Sequence, residues 1–337
     1  MPYPKIYVDS VLLNWGDRLF QDPLRHVRAP RLTRAALGDD AERMRTQIAR
    51  TLRRAPEVMV KITNSAKRAQ GVSAVRRHLR YISRDGRLEL EDQNGARIAG
   101  AEALRDLLEV WQFGGWGMPQ HATHREVFNI VLSMPAGTDR RAVHDAAREF
   151  AAQEFGDGRA YVFAAHDDEP HPHVHLCVQA RGPHGRRPIL HLVDYQRWRE
   201  RFAAQLRERG VDANATPRRV RGVTQRSPKS AVVYILARGV TPRYWDPLPT
   251  SAQRDRARDL PGEVLLAWRE MAVAMARSPA REDRAMAVET AHFVACMPVQ
   301  RERLDSLHAH PARRGQAEPK AARGDDRSSG LVPDVER

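Results

Sequence analysis

From Val58 onward the apolar residues fall into short, regularly spaced groups. VMVKI reads as a short strand, and SAVRRHLRYI places Val75, Leu79 and Ile82 at helical spacing behind Ser73, a residue suited to cap the helix. AEALRDLLEVWQ over 101–112 predicts a second amphipathic helix, and REVFNIVLS alternates as a strand ending at Ser133. Pro135 and Gly137 punctuate a turn. Thr138 is placed to cap a helix from Asp139 to Phe155, which Gly156 and Gly158 stop. YVFAAH and HVHLCVQA read as two strands joined by a short acidic turn, and a helix opened by Asp194 runs to about Arg209, closed by Gly210. The order β, α, α, β, α, β, β predicts an α/β fold, an antiparallel or mixed sheet with helices packed on one side.

The ends differ in texture. Residues 1–55 mix Pro, Arg and Asp with short apolar pieces, and only Asp39 to Arg54 looks helical, which predicts an N-terminal arm. SPKSAVVYILARG suggests a further short helix. Beyond about residue 300, Arg, Ala, Gly, Asp and Ser dominate and too little apolar surface remains to offset chain entropy, so a disordered tail is expected. The expected division is an arm over 1–55, the α/β domain over 56–245, a helical segment over 246–300 and the tail over 301–337.

The joint between the last two predicted strands carries the densest chemistry. His166-Asp-Asp168-Glu-Pro-His171-Pro-His173-Val-His175 holds four of the chain's 14 histidines in ten residues. Alternate side chains of a strand share a face, so His173 and His175 project together while Val174 points to the opposite, buried side. The turn folds the chain back and lets His166 converge on the same cation. Three nitrogen donors leave coordination positions open for substrate, as a catalytic metal site requires. Asp168 is a candidate to orient a ligand imidazole or to serve as a base, and the direction of His171 is left open by Pro172. A second candidate is Tyr81, near the end of the helix that carries Arg76, Arg77, Arg80 and Arg84. A phenol there is a candidate nucleophile, provided that cations and a base or metal favour the phenolate.

Composition narrows the partner. The 337 residues carry 56 Lys plus Arg against 42 Asp plus Glu, a formal net charge of +14, and only five of the basic residues are Lys. Such an excess points to a polyanion, and guanidinium forks suit bidentate phosphate contacts. Charge concentrates in two places: residues 181–243 hold 15 basic and 4 acidic side chains, and residues 61–87 hold 8 and 1. Two cysteines make no disulfide framework, no apolar run approaches the roughly 20 residues that cross a bilayer, and the opening residues lack a secretory pattern. A cytoplasmic location without membrane insertion is expected.

Three ordered segments resemble the relaxase or mobilization nuclease family of HUH endonucleases, and most the T-DNA border nuclease branch. LRYISRDGRLELE resembles the motif that holds the nucleophilic tyrosine, which falls here on Tyr81. IVLSMPAGT with REFAAQEFG resembles the motif whose serine, here Ser133, lies near the scissile DNA. HDDEPHPHVHLCV resembles the metal-binding motif, with His166, His173 and His175 as ligands and Asp168 in its acidic position. RERGVDANATPRRVRGVT extends the likeness to about residue 226, while the arm before Val58 has no counterpart.

The resemblance implies a compact α/β fold and strand-specific nicking of DNA at a plasmid or mobile-element transfer origin. It also implies a covalent 5′-phosphotyrosyl intermediate and Mg²⁺ or Mn²⁺, where three imidazoles alone would suggest Zn²⁺. Implied partners are single-stranded or supercoiled DNA, an accessory DNA-binding protein and a type IV secretion coupling protein, with export of the DNA-linked protein. Arg77, Arg80, Arg84, Arg218, Arg219 and Arg221 are the candidate DNA contacts, preferred over Tyr195 and Trp198, whose helical spacing suits the core. The competing readings are a rolling-circle replication initiator or transposase of the same class, and a metal-stabilised DNA-binding protein without catalysis.

Overall fold

A six-stranded antiparallel sheet forms the centre of the protein. The computed structural model describes residues 1–20, 34–64, 71–187, 192–223, 235–236, 238–241, 251–298 and 300. In chain order the elements are α1 (Lys5–Phe20), α2 (Arg34–Leu52), β1 (Met59–Ile62), α3 (Val72–Ile82), β2 (Leu90–Asp92), β3 (Arg97–Ile98), α4 (Gly100–Phe113) and β4 (Val127–Ser133). They continue with α5 (Arg140–Phe155), β5 (Tyr161–His166), β6 (His173–Gln179), α6 (Leu192–Glu208), a 3-10 turn (Arg218–Arg221), α7 (Ser251–Ala276) and α8 (Arg281–Ala295). The expected tail and most of SPKSAVVYILARG lie outside the described residues.

The strands are ordered β1-β4-β6-β5-β2-β3, and the register sets out two rows across them. Met59 pairs with Ser133, Ser133 with His173 and His173 with His166. One step in, Lys61 pairs with Val131, Val131 with His175 and His175 with Ala164. Directly paired residues share a face, so both rows lie on the same side of the sheet.

Helices cover both sides, which corrects the expectation of one. Phe128, Ile130, Leu132, Val174, Leu176 and Val178 point to α5 and α6, where Phe150, Trp198 and Phe202 fill the layer. Val127, Val162, Ala164 and Cys177 point the other way, to Val75, Leu79 and Ile82 of α3 and Leu104, Leu108 and Trp111 of α4. Covered twice, β4 is buried along its whole length and reads as a nearly continuous apolar run. Trp198 thus belongs to the core, with the tilted ring of Tyr195 beside it at 5.9 Å.

Four local expectations change. Gly71 caps α3 rather than Ser73, whose hydroxyl accepts from Gln120 Nε2. Asp139 caps α5 by accepting from the Arg141 amide, while Thr138 donates to the Pro135 carbonyl. The hairpin of β2 and β3 adds to the β5 edge, its turn held by Asp92 Oδ1 accepting from the Asn94 and Ala96 amides. Finally, the stretch before Asp39 contains the 16-residue helix α1. Its Val8, Leu12 and Leu19 join Ile48 of α2, Trp268 and Met271 of α7 and Phe293 of α8 in a separate core. Trp268 donates its indole N–H to the Val220 carbonyl, so the 3-10 turn is tied to that core.

Candidate metal and nucleophile site

Strand parity places His173 and His175 side by side at the start of β6, and the register brings His166 of β5 opposite His173. Ring centroids are 4.5 Å apart for His166 and His175, 5.2 Å for His173 and His175, and 5.3 Å for His166 and His173. One nitrogen from each of the three buried rings lies within 4.8 Å of the others. His171 stays outside this cluster, its carbonyl 3.3 Å from His173 Nδ1.

The donor set fits a divalent cation. His166 Nε2 donates to the Ile82 carbonyl at 2.8 Å, and His173 Nδ1 to His171, which leaves each ring its second nitrogen as a lone-pair donor. His175 Nδ1 is buried with no partner. Burial holds the His166 pKa below the ordinary histidine value; for His175, burial and then the neighbouring His166, His173 and His78 rings push it down to about 3. Neutral imidazoles are the ligating form.

The tyrosine arrives from the other side of the sequence. The apolar stripe of α3 fixes its rotation on the sheet and leaves Tyr81 62% exposed, its ring 5.5 Å from His175 and 6.1 Å from His166. The Ile82 carbonyl, an end-of-helix acceptor, is the one that accepts the hydrogen bond from His166 Nε2–H. Helix α3 and the His166 ring therefore orient each other. After Ser83 the chain turns through three positive φ values at Arg84, Asp85 and Gly86. A Cβ at Gly86 would stand 2.6 Å from the Gly100 carbonyl carbon, so this turn needs glycine there.

That turn delivers Arg84 to Asp168 at 2.7 Å, and Asp168 in turn stands 3.9 Å from His166 Nδ1. Desolvation works to raise the Asp168 pKa, but the Arg84 hydrogen bond and charge outweigh it and hold the carboxyl below its usual value. Asp168 is thus placed beside the His166 ring. Ser133 is buried in the row with His173 and His166, its hydroxyl 3.4 Å from the Met134 carbonyl.

The predicted arginines divide. Arg77 and Arg80, with Ser73, Arg76, Tyr81 and Asp85, line a cavity of about 440 Å³ on the outer face of α3, and Arg80 is bonded to Asp85 at 2.8 Å. Arg218 is exposed. Arg221 reaches Glu57 at 3.4 Å and Arg219 donates to the Leu19 carbonyl at 3.4 Å, so both brace the 3-10 turn between sheet and helices.

One residue escaped the sequence reading. His78, one turn before Tyr81, has its ring 6.3 Å from Tyr81 and 6.5 Å from His175, and its Nε2 is buried without a partner. Burial pushes its pKa down to about 4. The available signal was its i, i+3 spacing from Tyr81 on a helix.

Comparison with known proteins matches residues 83–211 to the family described as relaxase, MobA/VirD2-like, nuclease domain. Over this segment the chain is similar to a relaxase-type nuclease domain. The segment contains His166, His173, His175, Asp168 and Ser133, and it begins two residues after Tyr81. The chain is 34% identical over 170 residues to the T-DNA border endonuclease VirD2 of Rhizobium radiobacter, covering 44% of this chain and 39% of that protein. The same identity and length hold for VirD2 of Agrobacterium fabrum (strain C58), with 37% of it covered, and Rhizobium rhizogenes VirD2 is 32% identical. The chain therefore spans less than two fifths of these relatives' length. No solved structure matches it. The relaxase resemblance and the α/β fold with an antiparallel sheet are borne out.

Proposed function

We propose that this relaxase-like chain nicks one strand of DNA at a transfer origin and joins it to Tyr81. The observation that carries the reading is the meeting of Tyr81 with a three-histidine cluster from the other half of the domain, 5.5 Å from ring to ring at the closest. The phenol oxygen attacks the scissile phosphorus, the bond from phosphorus to the 3′-oxygen breaks, and a 5′-phosphotyrosyl linkage and a 3′-hydroxyl result. The phenolic proton leaves to solvent and the departing oxygen takes one up, so the exchange is proton-neutral. His166, His173 and His175 would hold Mg²⁺ or Mn²⁺, which when bound neutralises charge on the attacked phosphate.

The chain's own groups do the rest. The Ile82 carbonyl and Asp168 orient His166, Arg84 holds Asp168, and the α3 arginines contact flanking phosphates. No helix of the described residues is long and apolar enough to cross a membrane. An accessory DNA-binding protein and a type IV secretion coupling protein are the proposed partners.

The test is incubation of the protein and Mg²⁺ or Mn²⁺ with supercoiled DNA carrying the adjoining intergenic region, then protease treatment and gel analysis. Protein-linked open circles are expected, lost with Tyr81→Phe and with chelator. Equal cleavage by the Phe variant would overturn the assignment.

A further inference from the structure

The sheet face that carries the histidines is covered unevenly. The apolar layer of α3 and α4 lies against Leu90 of β2, Val162 and Ala164 of β5, Cys177 of β6 and, at the end of β4 far from Ser133, Val127, and Tyr81 contacts the rings of His166 and His175. On the other side of the histidines the two register rows continue outward. Ser133 and Val131 come next, then Met59 and Lys61 on the edge strand β1, two strand spacings or roughly 10 Å from His173 and His175. Val60 is buried under α5 and α6, so Met59 and Lys61 face the histidine side. Both are exposed, Met59 at 45%, and among the described residues the Lys61 side chain has no hydrogen bond or ion pair.

Charge on this flank suits a polyanion. The nearby acid, Glu57, is matched by Arg221 at 3.4 Å, Arg199 at 3.8 Å and the Thr216 amide at 2.7 Å. Among the described residues the Lys61 side chain stands apart from those pairs, exposed beside Met59 on the edge strand.

In-line displacement at phosphorus puts the entering and leaving oxygens on opposite sides. With Tyr81 entering from the α3 side, the leaving 3′-oxygen faces β4 and β1. We infer that the strand ending in the released 3′-hydroxyl lies over the β4–β1 edge, its phosphates held by Lys61, while the strand joined to Tyr81 follows the arginines of α3. The inference rests on the nicking reading and goes beyond it by giving each product strand its own surface.

The experiment uses the full chain and two short fluorescent oligonucleotides, the sequences on either side of the nick mapped in the supercoiled-DNA reaction. Lys61→Gln is expected to weaken binding of the half that ends in the 3′-hydroxyl about fivefold and to reduce its salt slope by about 0.7. Binding of the other half stays within about twofold, which also reports that the variant is folded, and Lys61→Arg restores the first half. Arg77→Gln gives the opposite asymmetry. Equal losses on both halves, or none, with the Tyr81 adduct still formed by the wild-type chain, would overturn the inference and leave the nicking reading standing. No adduct at all overturns both.

Discussion

Arg45 lies in the helical layer of α1, α2, α7 and α8, bonded at 2.7 Å to Asp9 and at 2.7 Å to Asp283, and Asp283 also accepts from Ser278 at 2.6 Å. On the sheet face, by contrast, four imidazoles gather, and ring nitrogens of His175 and His78 have no partner. Both regions bury polar groups. One closes its polarity within the chain and thereby fixes the packing of three helices. The other keeps donors open at a cost of about 1–3 kcal/mol for each unsatisfied atom, which is what a site awaiting a ligand requires. Completeness of pairing, more than burial, separates scaffold from site here.

The contrast breaks most sharply at Arg45. Replacing it with Met leaves two buried carboxylates uncompensated, and a loss of about 3–5 kcal/mol is expected in urea unfolding, with Mn²⁺ affinity unchanged. A variant as stable as the wild type would refute the role given to the triad. The converse is His175→Ala: calorimetric titration should show at least about 100-fold weaker Mn²⁺ binding, without loss of stability in chelator. Parallel loss of both would make the histidines structural.

Smaller effects sharpen the comparison. Arg84 and Asp168 are both partly exposed, so Arg84→Gln should shift stability by under about 1 kcal/mol while Mn²⁺ affinity drops about tenfold as Asp168 loses its holder. The last effect is on pH. Burial holds His78 near 4, and burial with its histidine neighbours holds His175 near 3, against about 6.5 in the unfolded chain. Between those values the unfolded state binds more protons, so stability of the metal-free protein is present above about 6.5 and falls as pH drops toward 4. Urea midpoints at pH 7 and 5 measure it; a higher midpoint at pH 5 contradicts the assignment.

Legibility followed the reach of each signal. The facing of His173 and His175 away from Val174 is a two-residue periodicity, and the structure reproduces it. The return of His166 needed only a short turn. The hairpin of β2 and β3 has strands of 3 and 2 residues, too brief for alternation to register, although Asn94-Gly95 marked its turn. Helix α1 was obscured because its apolar stripe finds its partners in α7, over two hundred residues away. Arg219 and Arg221 stood in a basic run suggestive of DNA, but their partners, Leu19 and Glu57, are distant in sequence. His78 was hidden in the motif itself, since only the crossing of α3 over β6 reveals its nearness to His175.

The dependence of α1 on α7 sets a schedule for the newborn chain. The apolar face of Val8, Leu12 and Leu19 emerges in synthesis roughly 230 residues before the helix that covers it. At about 5–20 residues per second that interval is roughly 12–50 s, during which the sheet with its histidines has every strand it needs. The sheet half is thus able to assemble while the helical half is still waiting, and the exposed face of α1 is where a chaperone would be needed most.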